Sequence, residues 1–132
     1  DLQMAMLFAA AYVFLARVPS ELLTWRVDGE GITERRHTGL DVTVQWSATE
    51  FRVHLHKRKN ARHGDIIRRG CSCELSEALC PVHTIAPWLN SFSRGDMPFK
   101  GVSAATATKK LRYYLEKCGI SEAHMYTLHC FR

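Results

Sequence analysis

Residues Met4 to Ala16 form an unbroken apolar run of thirteen, and no other stretch restricts the fold as strongly. A bilayer span needs about twenty such residues, and a secretory leader carries a basic segment that Asp1-Leu2-Gln3 does not supply. The run therefore reads as a buried helix over roughly Leu2 to Ala16, apolar on nearly every side. Such a helix has to be enclosed by other elements. A chain of 132 residues, 46% hydrophobic and 23% charged, has the material to enclose it in one globular domain. Five cysteines without a secretory feature point to thiols or metal ligands in a reducing compartment, not to a disulfide framework.

Arg17 follows the apolar run directly, and Pro19-Ser20-Glu21 then marks the start of a second short helix. An arginine at the mouth of so apolar a helix needs an anion. Glu21 is one candidate, as a structural ion pair; a bound phosphate is the other, with Glu21 orienting the guanidinium. Beyond the break at Gly29 and Gly31, Leu40, Val42, Val44 and Trp46 alternate with polar residues, as do Phe51, Val53 and Leu55. This period of two predicts half-buried strands, with a third returning over Asp65 to Arg68.

The net charge of +5 favours a polyanionic partner, and its distribution sharpens the point. Seven of the eighteen lysines and arginines lie between Arg52 and Arg69, against the single acid Asp65. Lys57, Arg58, Lys59 and Arg62 crowd the tip of the expected hairpin, where they suit a nucleic-acid backbone or a solvated loop.

Cys71-Ser72-Cys73 and Cys80-Pro81-Val82-His83 together offer four ligands of the kinds that a tetrahedral zinc prefers. The plainer alternative is that Cys80-Pro81 starts a helix with Val82, Ile85 and Leu89 inward and a break at Pro87. Ser103 caps the clearest amphipathic helix, with Ala107, Leu111, Tyr114, Leu115 and Cys118 expected inward. Lys109, Lys110, Arg112 and Lys117 face mostly outward, and Gly119 closes the helix. Thr127 can cap a last helix on which His129 and Arg132, three residues apart, share a face. An imidazole and a guanidinium so placed suit a phosphodiester.

Taken together, Arg17-Val18-Pro19-Ser20-Glu21-Leu22 after an apolar helix, a lysine-tipped three-stranded hairpin, a basic helix ending in Cys118-Gly119-Ile120, and Thr127-Leu128-His129-Cys130-Phe131-Arg132 resemble the catalytic domain of the tyrosine recombinase (phage-integrase-like) superfamily. The CysProValHis segment is similar to integrase-like proteins of eukaryotic mobile elements. The resemblance implies an α+β, mainly helical fold: a helical bundle with a small three-stranded antiparallel sheet, residues 1–132 forming a partial catalytic domain. It also implies site-specific DNA recombination or integration through a 3′-phosphotyrosyl intermediate. Arg17 and Arg132 would clamp the scissile phosphate, His129 would hydrogen-bond it and assist proton transfer, and Glu21 would support Arg17. Lys59, with Lys57 as the alternative, would protonate the leaving 5′ oxygen.

Double-stranded DNA is then the expected partner, contacted by Lys57, Arg58, Arg62, Lys109, Lys110 and Arg112. Self-association on DNA is expected of the full-length protein, and no membrane partner is. Catalysis of this kind requires no cofactor; a structural zinc on Cys71, Cys73, Cys80 and His83 is compatible with it. The expected location is nuclear in a eukaryote and cytoplasmic otherwise, without secretion.

Two features depart from the family pattern. Glu21 stands four residues after Arg17, where many relatives have three. The family's nucleophilic tyrosine lies beyond the HisxxArg motif, whereas Tyr12, Tyr113, Tyr114 and Tyr126 all precede it. The sequence, opening on Asp1 and stopping at Arg132, is thus expected to be a piece of a longer protein and not to cleave DNA as it stands. A catalytically dead DNA-binding relative and a small zinc-stabilised nucleic-acid-binding domain are the alternatives.

Overall fold

The computed structural model describes residues 1–28, 35–38, 42–56 and 64–131. Asp1 caps helix α1 (Leu2–Phe14), its carboxylate accepting the Met4 N–H at 3.3 Å. The helix ends at Leu15, held at φ 51°, a left-handed conformation that is costly for a side chain branched beyond Cβ. Arg69 donates from Nε to the Val13 carbonyl at 3.1 Å and so meets one of the acceptors that a helix C-terminus leaves open. Pro19 then sits in the first turn of a single wide π-helical turn, Val18–Leu22, in place of an ordinary helix.

An antiparallel sheet follows, built from β1 (Arg26–Asp28), β2 (Arg35–Thr38), β3 (Val42–Trp46), β4 (Glu50–Leu55) and β5 (Asp65–Gly70) in that spatial order. The three expected strands are β3, β4 and β5, and the sheet continues through two shorter ones. Those two are three and four residues long, too short and too charged to show an alternation of their own. Gly29, Gly31 and Leu40 lie outside the described residues. Val27 exchanges hydrogen bonds with the loop around Asp96, giving its N–H to the Asp96 carbonyl at 2.8 Å and accepting from Gly95 at 2.9 Å. The edge of β1 is thereby paired.

The helical layer continues with a π-turn, Pro81–Ile85, that runs into α2 (Ala86–Asn90), and with α3 (Ala104–Lys117). Ser103 caps α3 as expected, its hydroxyl accepting the Thr106 N–H at 3.1 Å. At the other end Gly119 has φ 83°, and the N–H groups of Gly119 and Ile120 return to the Glu116 and Leu115 carbonyls. This is the paired closure that a left-handed residue after a helix permits. Cys118, expected inward, is exposed because the helix is already turning out at its cap. The last helix is a 3₁₀ turn, Leu128–Phe131, preceded by another at Ala123–Met125. Thr127 does cap it, its hydroxyl accepting the His129 N–H at 3.3 Å.

The core lies between the inner face of the sheet and the helices. Val44, Trp46, Phe51, Val53 and Leu55 are buried on that face, as their spacing predicted, and Leu7, Ala11 and Phe14 are buried from α1. Phe14 stacks on Phe51 with ring centroids 4.7 Å apart, and Trp46 stacks on Phe51 at 5.7 Å. Trp46 also donates from Nε1 to Asn90 Oδ1 at 3.1 Å, which ties β3 to α2. Enclosure of α1 is incomplete, since Leu2 and Tyr12 are each 61% exposed. No helix among the described residues is long and apolar enough to cross a membrane.

Gly64 fixes the return of the β4–β5 hairpin. Its φ is 78°, and an added Cβ would overlap the Leu55 carbonyl oxygen, so both backbone conformation and space require glycine. Gly64→Ala is expected to cost more than about 1 kcal/mol, read as a lower urea midpoint. Gly95→Ala has open space and a similar positive φ, and separates the strain of φ from the overlap.

Candidate functional site

Among the described residues, the chemistry-bearing side chains fall in two regions. The first is built on the junction after α1. Glu21 is only 2% exposed, and its Oε2 accepts the backbone N–H of Arg17 at 2.5 Å. Its own carbonyl accepts from Trp25 Nε1, also at 2.5 Å. Glu21 therefore spends a carboxylate oxygen on the Arg17 backbone and anchors Trp25, which packs on Phe99 at 5.8 Å. The Arg17 side chain is half-buried, and among the described residues no carboxylate lies within ion-pair distance of its guanidinium. Of the two counter-charges considered for Arg17, the Glu21 ion pair is not formed; the Glu21 carboxylate meets the Arg17 backbone N–H instead.

His129 reaches the same helix by another route. The turn that carries it is anchored by Leu128 in the core and by Phe131, whose ring stacks on Phe8 of α1 at 5.5 Å. The imidazole itself is exposed. Arg17 and His129 thus hang from elements that both pack on α1. Arg132, Lys57, Arg58, Lys59 and Arg62 fall outside the described residues.

Of the expected basic contacts on α3, Lys109 is exposed and Lys110 half-buried. Arg112 donates from Nε to the Tyr126 carbonyl at 3.0 Å, so part of its guanidinium ties α3 to the segment leading to His129. Tyr113 is 49% exposed between Lys110 and Lys117, whose ammonium groups lie 5.8 and 5.5 Å from its ring centre. This is a cation–π arrangement that keeps two positive charges on one helix face.

The second cluster joins the end of β5 to the start of the Pro81–Ile85 turn. Cys71, Cys73, Cys80 and His83 place their ligand atoms within 4.8 Å of one another, and this Cys₃His group can hold a metal ion. His83 Nδ1 lies 3.2, 3.3 and 3.5 Å from the sulfurs of Cys71, Cys73 and Cys80. Cys80 and Cys71 are 3.9 Å apart, sulfur to sulfur. The metal-capable group and the start of a helix coexist, because Cys80 also caps the turn and Val82, Ile85 and Leu89 are buried beyond it.

Burial would raise the Cys80 thiol, but the N–H groups of Ser72 and His83, each 3.4 Å from its sulfur, outweigh that and bring it down to about 6. Cys73 is pushed up to about 12, first by its hydrogen bond to Cys80, then by burial and by Cys71. The backbone has therefore prepared one thiolate, while its neighbour keeps a proton.

Two supports escaped the sequence reading: the Arg69 cap on α1 and the Arg112 tie to Tyr126. Both span long gaps in sequence and leave no local pattern. No family model, curated protein or solved structure matches the chain.

Metal uptake at the Cys₃His cluster has to displace the Cys73 proton, since Cys73 titrates at about 12 while Cys80 has already lost its proton at neutral pH. Affinity is expected to rise with pH, by about tenfold per unit for each proton released. Competition titrations with a chromogenic chelator at two pH values measure this, and a pH-independent affinity would contradict it.

Proposed function

We propose that this chain supplies the phosphate clamp and DNA-binding surface of a tyrosine-recombinase-type enzyme, which integrates or recombines DNA by strand cleavage and rejoining. The observation that carries the reading is Arg17: a half-buried arginine with no carboxylate at ion-pair distance among the described residues, Glu21 accepting its backbone N–H instead. A part-buried charge needs a counter-charge, and a scissile phosphate supplies one in bidentate form. Support also comes from the docking of the His129 turn on the same helix that presents Arg17.

In this reading Arg17 and Arg132 stabilise charge on the pentavalent phosphate in the transition state. His129 holds a non-bridging oxygen and assists proton transfer, and Lys59 protonates the departing 5′ oxygen. Glu21 fixes the turn from which Arg17 projects. The attacking tyrosine is a family feature located after the HisxxArg motif, and the phosphotyrosyl ester it forms conserves the energy of the broken bond. A nicked suicide duplex incubated with a full-length protein that contains such a tyrosine should give a covalent protein–DNA band on a denaturing gel. Arg17→Ala is expected to abolish the band while leaving most DNA affinity, because the basic residues around it still contact backbone. Equal loss of binding and cleavage would count against the clamp. Salt-sensitive binding without any band would favour a DNA-binding relative that has lost catalysis.

The Cys₃His cluster is proposed to hold zinc. Zinc–sulfur bonds of about 2.3 Å and a zinc–nitrogen bond of about 2.0 Å imply tetrahedron edges of about 3.8 Å between sulfurs and about 3.5 Å between sulfur and nitrogen. The Cys71–Cys80 separation of 3.9 Å and the His83–sulfur separations of 3.2–3.5 Å are close to those edges, within a group whose ligand atoms all lie within 4.8 Å of one another. With all four positions filled by protein, the ion is structural and clips the exit of β5 to the helix that follows. One zinc per chain is expected by elemental analysis. Cys80→Ser should lose it and lower the melting temperature, whereas Cys118→Ser, outside the cluster, should change neither.

A further inference from the structure

The outer face of the sheet carries charge that the clamp does not use. β3 and β4 pair Gln45 with Arg52 and Thr43 with His54, while β4 and β5 pair Arg52 with Arg68 and His54 with Ile66. Residues directly opposite in an antiparallel pair lie on the same face, so these form two rows across three strands. Val53 and Leu55, which alternate with them along β4, are buried on the other face.

The two rows line a shallow depression of about 270 Å³, to which His56 contributes at the rim. Its ring lies 4.1 Å from that of His54, and its Nε2 is 2.5 Å from the Thr43 hydroxyl.

Arg52 and Arg68 are direct cross-strand partners, and like charges so placed repel. Glu50 bridges both, at 3.1 Å from Arg52 Nε and 4.0 Å from Arg68 Nη1. Among the described residues, one carboxylate between two guanidinium groups leaves a net positive charge. The two arginine side chains are 39% and 60% exposed, so they remain accessible to a ligand.

We propose that this face is a second contact for the phosphate backbone of double-stranded DNA, in addition to the clamp at Arg17. Charge complementarity selects a polyanion. Among the described residues the depression is lined by no Phe, Tyr or Trp on which unpaired bases would stack, which favours a duplex over a single strand. Arg52 and Arg68 take phosphate oxygens, and exposed Ile66 offers an apolar seat for a deoxyribose. Because such contacts carry no base information, binding here positions the duplex without reading its sequence. The inference rests on the reading of this chain as a duplex-DNA-binding domain.

The test is the salt dependence of binding to a fluorescent duplex of arbitrary sequence, measured by anisotropy with the 132-residue chain. Arg52→Gln/Arg68→Gln should weaken binding roughly tenfold and make the log–log salt slope shallower by about two. Glu50→Gln, which removes the competing acid, should bind more tightly than the parent.

Unchanged affinity and slope in the double variant, with an unchanged urea midpoint, would overturn the sheet-face contact and leave the DNA-binding reading standing. Weaker binding by Glu50→Gln at an unchanged midpoint would also overturn it. Absence of salt-dependent duplex binding by the parent chain would overturn the wider reading as well. Tighter binding of a single strand of equal length would reject the duplex as the occupant.

Discussion

The stack of Phe14 on Phe51, 4.7 Å between ring centres, is the contact through which the end of α1 and the middle of the sheet define each other's positions. A helix whose residues are apolar nearly all round gains little from facing water on any side. It becomes stable only when a second layer covers it. The inner face of β3 and β4 supplies that layer, and Trp46 extends it by stacking on Phe51 and bonding Asn90 of α2. Everything of chemical interest at the start of the chain follows from where α1 stops. Leu15 turns the chain in a left-handed conformation, Arg69 caps the Val13 carbonyl, and Arg17 emerges next to a turn pinned by buried Glu21.

Glu21 illustrates how a residue type can be right and its assigned bond wrong. An arginine at the mouth of an apolar helix needs an anion, and a Glu21 ion pair was one of the two candidates that the sequence offered. The wide π-turn instead brings its carboxylate to the Arg17 backbone N–H. A backbone donor left open at the start of a buried turn competes strongly for a nearby carboxylate. That competition leaves the guanidinium without a carboxylate at ion-pair distance among the described residues.

The Cys₃His cluster works in the opposite direction, from scattered residues to one point. Cys71 and Cys73 leave β5, Cys80 and His83 begin a turn, and their ligand atoms converge within 4.8 Å. The same Cys80 sulfur accepts two backbone N–H groups, so the thiolate is favoured before any ion is considered. Capping and ligation are not competing explanations for this segment. A cap orients the turn, and the oriented turn presents His83 to the sulfurs.

Much of this architecture was legible in the residues. The period of two over Val44–Trp46 and Phe51–Leu55 determined which side chains face inward, because strand geometry alternates faces whatever the surroundings. Ser103, Gly119 and Thr127 marked their helix ends through local hydrogen bonding and local backbone freedom, and the Cys and His residues identified their own chemistry. What tertiary structure alone decided were relations between distant segments. Two charged strands joined the sheet because neighbouring strands offered them partners. Arg69 and Arg112 became caps because their targets arrive from 56 and 14 residues away. Arg52 and Arg68 meet as opposite partners only through the β4–β5 register. A sequence determines the period and the end signals of its elements, since both act within a few residues; which side chains then share a surface depends on packing, since that choice minimises a free energy that belongs to the whole chain.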